Sequence, residues 1–175
     1  KLAGEGYCRS FTRVYGLETV ALRYFNVFGP RQDPRSQYAA VVPRFIDTVL
    51  ACGRPAVYGD GTQSRDFTYV ENVVAANLLA MDAQGASGRV YNIACGERVT
   101  LLELLDDLGD LLDVDVDPDH LAARAGEVRH SHADLTRARD ELGYLPTVTL
   151  REGLERTISY HREAARLGAA GMVGA

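Results

Sequence analysis

The stretch Leu22-Arg23-Tyr24-Phe25-Asn26-Val27-Phe28-Gly29-Pro30-Arg31-Gln32-Asp33-Pro34 decides how the rest of the sequence reads. Residues 20–25 are a short run of apolar and β-forming residues with the length of a buried strand, and Gly29-Pro30 closes it with a turn dipeptide. The strand so defined carries Asn26 to its carboxyl end, which is where ligands bind in open parallel α/β sheets. Taken alone, the same residues equally describe a core strand entering an ordinary turn.

Upstream, residues 1–15 predict a helix with Ala3, Tyr7, Phe11 and Val14 on one stripe and Gly16 as its stop. It opens without a cap, so the expectation is a sequence that starts inside an element. Downstream, a polar loop over 31–37 leads to a helix over 38–52, interrupted or restarted at Pro43 and closed by Gly53. Short strands follow at 56–58 and 67–70, separated by the turn Gly59-Asp60-Gly61. A helix over 72–82 is expected to turn Val74, Leu78 and Met81 inward, and 90–94 reads as a buried strand. Thr100-Leu101-Leu102-Glu103 is a capping box, followed by Leu104, Leu105, Leu108, Leu111 and Leu112 at helical spacing. Residues 113–119 alternate acidic and apolar residues, compatible with an edge strand or a solvated loop. Asp134 can cap a helix running to Leu142 and ended by Gly143. A second capping box, Thr149 to Glu152, opens a last helix through Leu150, Leu154 and Ile158 to about Leu167, with 168–175 a disordered tail. Such mixed elements describe an α/β piece followed by a smaller α+β lobe.

The 175 residues fit one ordinary domain with a real core. A formal net charge of −5 gives no electrostatic footprint for nucleic acid or an anionic membrane. Cys8, Cys52 and Cys95 are odd in number and lack CxxC spacing, which argues against a disulfide framework or a zinc site and fits a reducing cytoplasm. No apolar run approaches the ~20 residues of a spanning helix, and the first residues do not read as a signal peptide. His120, His130, His132 and His161 have neither metal-ligand spacing nor a recognisable nucleophile partner, and read as structural or solvated. The acidic stretch from Asp106 to Asp119 reads as a solvated face.

Arg65 and Arg124 stand out, because a diphosphate calls for forked, permanently charged donors and guanidinium supplies them in a plane. Arg65 follows a glycine turn, and Arg124 sits beside Gly126, where backbone can approach a ligand closely. Asn26 offers an amide donor, Tyr58 an aromatic face able to stack on a base, and Gln32 a polar side chain on the loop.

Three stretches resemble, in order and spacing, the extended short-chain dehydrogenase/reductases of the NAD-dependent epimerase/dehydratase family. They are the opening stretch, Gly59-Asp60-Gly61-Thr62-Gln63-Ser64-Arg65-Asp66-Phe67, and Arg124-Ala125-Gly126-Glu127-Val128-Arg129-His130-Ser131. The resemblance covers nearly everything from residue 1 to about 162, and within the family it leans towards UDP-glucose and UDP-N-acetylglucosamine 4-epimerases. It implies the last strands and helices of a Rossmann-type parallel sheet interleaved with a substrate-binding lobe over 1–167. It implies phosphate contacts for Arg65 and Arg124, a phosphate or ribose contact for Asn26, and main chain along the nucleotide at Ala40 and Val41. Tyr58 would face the uracil and Gln32 the sugar. Glu127 stands where the family usually has aspartate bonding the ribose hydroxyls. Ser131 occupies a position that gates the sugar pocket, where a small side chain leaves room for an N-acetyl group. Lys1 matches the lysine of the catalytic Tyr-x-x-x-Lys motif and, with Tyr24, belongs to the NAD side. The helix over 1–15 matches the one that pairs across a two-fold dimer.

In the intact family enzyme, NAD takes hydride from C4 of the sugar and returns it to the other face of a 4-keto intermediate. Here the motif tyrosine would lie before Lys1, and no strand leads into a glycine-rich phosphate loop: Gly59-x-Gly61 fails at Ser64, and Gly4-x-Gly6 fails at Arg9. Two other readings stay open: a related 4,6-dehydratase or decarboxylase, and a non-catalytic protein that binds a UDP-sugar or a partner. The leading reading predicts that these residues alone have no epimerase activity. Turnover recovered from the purified chain without a complementing polypeptide overturns that expectation.

Overall fold

The computed structural model describes residues 1–34 and 41–172. In chain order the elements are α1 (Leu2–Tyr15), β1 (Val20–Tyr24), β2 (Val27–Phe28), α2 (Val41–Leu50), β3 (Ala56–Tyr58), β4 (Ser64–Arg65), β5 (Thr68–Tyr69), α3 (Val70–Asp82), β6 (Arg89–Ile93), β7 (Val99–Thr100), α4 (Leu101–Leu112), β8 (Asp119–Leu121), α5 (Thr136–Leu142) and α6 (Leu150–Met172). The strands meet in pairs: β1 with β6, β2 with β5 and β3 with β8 are parallel, and β4 with β7 is antiparallel. Parallel pairing needs crossovers, and helices supply them, which makes the architecture α/β.

Two apolar clusters hold these pairs. One is built by α2, α4, α6 and the strands β2, β3 and β5, around Ile46, Val57, Leu104, Leu108 and Leu154. The other sits where β1 and β6 meet α3 and α5, around Tyr91, Ile93, Ala138 and Tyr144. Both capping boxes form as read. Thr100 Oγ1 accepts from Glu103 N at 3.1 Å while Glu103 Oε2 accepts from Thr100 N at 2.7 Å, and Thr149 and Glu152 repeat the arrangement at 3.3 and 3.0 Å. The leucine face of α4 is buried at Leu101, Leu104, Leu105, Leu108 and Leu112, with Leu111 at the margin of the first cluster. Asp134 accepts from Thr136 N at 2.9 Å, so it supports the start of α5 from one residue before the N-cap, Leu135.

Several expectations are corrected. In α3, Val74, Leu78 and Met81 do not face inward: they are 52%, 58% and 80% exposed. The face that meets the second cluster carries Val73, Ala76 and Ala80. Both stripes have helical spacing, and the small residues win because they let the helix approach the β1–β6 pair closely. Of the two readings open for 113–119, the loop holds over 113–118, and strand β8 begins at Asp119. The last helix passes Leu167 and continues to Met172, so the segment expected to be disordered from Gly168 is helical that far. The spacing Gly168-x-x-Gly171-x-x-Gly174 begins in this segment, but Gly168 and Gly171 lie within α6 and follow no strand, which is not the setting of a dinucleotide loop; Gly174 lies outside the described residues. Among the described residues no helix is long and apolar enough to cross a membrane.

Asn72, 1% exposed at the first turn of α3, joins the two clusters. Its Oδ1 accepts from Thr147 N and Val148 N, both at 3.0 Å, and its Nδ2 donates to the Val148 carbonyl at 2.8 Å. These bonds fix the extended segment that feeds α6. On α6, Gly153 lies against the edge-to-face pair Phe28 and Tyr69, whose ring centroids are 5.6 Å apart. A Cβ at Gly153 would come within 2.8 Å of both rings. Gly153→Ala therefore tests the packing: helix propensity favours alanine by about 1 kcal/mol, whereas overpacking two buried rings costs about 1–3 kcal/mol. The net outcome expected is destabilisation, read as a lower urea midpoint with an unchanged slope.

Candidate functional site

At the C-terminal end of β1 the chain turns at Asn26, whose φ of 35° lies in the left-handed region that asparagine tolerates. Its side chain does not fold back on its own backbone. Nδ2 reaches across and donates to the Asp66 carbonyl at 3.0 Å. Asp66 is itself fully buried, and its carboxylate accepts from Cys95 N (2.9 Å), Gly96 N (3.1 Å) and Ala133 N (3.3 Å). The ends of β1 and β6, the β4–β5 turn and the segment after Ser131 thus meet at one residue. Next to it stands Arg65.

A cavity of about 330 Å³ opens beside this junction, and its wall brings Asn26, Val41, Tyr58, Arg65, Arg124 and Glu127 together. Arg65, with a side chain 16% exposed, donates from Nη2 to Glu127 Oε1 at 3.0 Å and from Nη1 to the Ser64 and Arg129 carbonyls at 2.9 and 3.3 Å. The Arg124 guanidinium lies 3.6 Å from the centroid of the Tyr58 ring, a cation–π contact. Tyr58 ends β3, and Gln63 holds that end by donating to its carbonyl at 2.6 Å. The turn that follows is braced by Asp60, which accepts from Thr62 N (3.0 Å), Thr62 Oγ1 (2.8 Å) and Arg129 Nη2 (3.0 Å). The Thr62 backbone N–H, then its hydroxyl, hold the Asp60 carboxyl down at about 2, so the turn stays charged through neutral pH. A second cavity of about 340 Å³ adjoins the first and shares Tyr58, Gln63, Arg124 and Glu127.

Other expected site residues lie elsewhere. Gln32 and Ser131 do not line the cavity: Gln32 Nε2 donates to the Val27 carbonyl at 3.2 Å, and Ser131 N donates to the Ser64 carbonyl at 3.0 Å. Lys1 is exposed at the start of α1. Tyr24 flanks a separate cavity between β1 and α3, its hydroxyl donating to Asn77 Oδ1 at 3.0 Å. Ala40 lies outside the described residues. Conversely, the cavity wall includes Arg44 and Thr48 of α2 and, just before β3, Arg54. The spacing of Val41, Arg44 and Thr48 on one helix face was the available signal for the first two.

The arrangement suits anion binding rather than nucleophilic chemistry. Ser64 Oγ and His130 Nδ1 are 2.9 Å apart, a partner not apparent in the sequence, but Ser64 is buried and outside the cavity wall. Burial, then the charges of Asp66 and Glu97, push the Cys95 thiol up to about 11, so little thiolate exists at neutral pH. Iodoacetamide at pH 8 is expected to alkylate exposed Cys52 and spare Cys95; peptide mass mapping reads the difference, and equal labelling contradicts it.

The profile of the NAD dependent epimerase/dehydratase family matches residues 1–94. The chain is 34% identical to a UDP-glucose 4-epimerase of Mycolicibacterium smegmatis, covering 95% of this chain and 52% of the relative. It superposes on Thermotoga maritima UDP-glucose 4-epimerase, solved with UDP-glucose, with a TM-score of 0.89 and 41% identity, over 94% of this chain and 52% of that one. For UDP-N-acetylglucosamine 4-epimerase of Methanobrevibacter ruminantium, in complex with UDP-N-acetylmuramic acid, the TM-score is 0.88 at 41% identity, over 93% and 52%. Related dehydratases and decarboxylases also match. The chain spans about half the length of the curated relatives it matches.

Proposed function

The chain belongs to the NAD dependent epimerase/dehydratase family, and from that premise we propose that it forms the nucleotide-sugar-binding part of a UDP-sugar 4-epimerase. The observation that carries the reading is the convergence of Arg65, Arg124, Asn26 and Tyr58, drawn from four separate stretches, on one cavity. Guanidinium groups grip a diphosphate with charge-assisted, directional bonds. Asn26 adds a neutral donor beside them. The Tyr58 face is taken by Arg124 in this structure, so the uracil takes the other face of the ring or displaces the guanidinium. Glu127 uses Oε1 on Arg65, which leaves Oε2 to accept from a ribose hydroxyl. Its extra methylene, relative to aspartate, lets one carboxylate serve both partners.

Ser131 and Gln32 belong to the sugar side, and the small serine side chain favours UDP-N-acetylglucosamine alongside UDP-glucose. NAD supplies hydride exchange at C4 when bound. Of its site the described residues contribute only Lys1 and Tyr24, both exposed, with no glycine-rich cradle for a pyrophosphate. These residues do not by themselves make a dinucleotide site, and the chain alone is expected to bind substrate without turning it over. The binding unit extends over 1–167. A homodimer through residues 1–15 accounts for the stripe Tyr7, Phe11 and Val14, which is exposed in the single chain.

Calorimetric titration with UDP-N-acetylglucosamine, UDP-glucose, UDP and uridine tests the reading. Both UDP-sugars and UDP are expected to bind, uridine at least tenfold more weakly, and Arg65→Gln and Arg124→Gln to lower UDP affinity about tenfold each. Equal affinity for uridine and UDP, or no binding of either, overturns it.

A further inference from the structure

The charge balance of the cavity points to a residue that neither the motifs nor the family resemblance assigns. Four arginines line it, Arg44, Arg54, Arg65 and Arg124, and one acidic residue, Glu127. Arg54 is neutralised from outside by Asp119 at 2.6 Å and Asp117 at 2.9 Å. Arg65 is neutralised from inside by Glu127 at 3.0 Å. Arg124 stacks on Tyr58 and has no carboxylate among the described residues. Arg44 has neither a carboxylate nor a ring among the described residues, although it stands in the same wall.

Two arginines of this wall, Arg44 and Arg124, therefore have no carboxylate among the described residues, and a diphosphate ester carries one negative charge on each phosphate. Resting on the UDP-sugar reading above, we propose that Arg44 is a second diphosphate ligand, working with Arg124 across the cavity while Arg65 stays shared with Glu127. The placement suits the task. Arg44 is in the first turn of α2, one turn from Val41, which lines the same cavity. α2 itself is immobilised by Val42, Phe45, Ile46 and Val49 in the first cluster, so the guanidinium is presented from a rigid base.

The test is titration of Arg44→Gln, Arg44→Lys and the wild-type chain with UDP, UDP-glucose and uridine, with Arg9→Gln on α1 as a control for net charge. Because Arg44 is exposed and has no ion-pair partner among the described residues, the thermal midpoint of its variants is expected to match wild type, which separates binding from folding. Arg44→Gln is expected to weaken UDP and UDP-glucose about tenfold, leave uridine unchanged, and recover partly in Arg44→Lys. Arg9→Gln is expected to bind as wild type does. Unchanged UDP affinity in Arg44→Gln overturns the proposal while the UDP-sugar reading stands, as does an equal loss for UDP and uridine, which marks a base contact. Loss for UDP-glucose alone marks a sugar contact and overturns it too. A wild-type chain that does not bind UDP overturns both.

Discussion

The carboxylate of Asp66 ties together the chain segments that meet beside the cavity. It is fully buried, and burying an anion without partners is prohibitive. Three backbone N–H groups, from Cys95, Gly96 and Ala133, converge on it. Hydrogen bonds to a charged acceptor contribute about 1.5–3 kcal/mol each, and all three donors would be left unsatisfied in the interior without it. The two clusters of the fold consequently cannot drift apart around this point. The peptide on its C=O side anchors Asn26, and the residue before it is Arg65. A structural charge and a ligand-facing charge thus occupy adjacent positions on one strand turn, pointing to opposite sides as extended backbone requires.

Asn72 extends the same logic by a neutral route. It satisfies two donors and one acceptor on the segment that leads into α6. With α6 so fixed, Gly153 can bring the helix against Phe28 and Tyr69, and Phe28 lies one turn from the loop that carries Gln32. Buried polar side chains with complete hydrogen bonding specify a single arrangement where apolar contact alone would tolerate several. The cavity takes much of its wall from α2, β3 and β4, while Arg124 and Glu127 reach it from the irregular segment between β8 and α5.

Much of this was legible in the residues. Strand β1, helix α4, both capping boxes and the stops at Gly16 and Gly143 follow from local chemistry, because each depends on neighbours within a few positions. Arg65, Arg124, Asn26, Tyr58 and Glu127 were found through motifs and do share a cavity. What escaped depends on distance. Asp66 bonds partners 29 and 67 residues away, and nothing in its own stretch announces them. Strands β2, β4, β5 and β7 are two residues long, too short for alternation to show. In α3 the apolar residues run round the helix, so periodicity offered two faces and packing chose the one with alanines. For Arg44 the one local sign is its helical spacing with Val41 and Thr48, which a solvated helix face carries equally well.

The register of β1 on β6 sets the order in which this molecule can be assembled. Val20 pairs with Arg89, so the parallel ladder closes a loop of nearly seventy residues. Closing a flexible loop of that length costs about 4 kcal/mol in chain entropy before any packing offsets it. Asn26, Arg44, Tyr58 and Arg65 all lie inside that loop, whereas Arg124 and Glu127 lie beyond it. Most of the cavity wall is therefore enclosed by one long-range closure, and the remainder comes from residues C-terminal to it. High contact order of this kind slows folding, and on a ribosome no competent cavity exists until the chain has been made past Glu127.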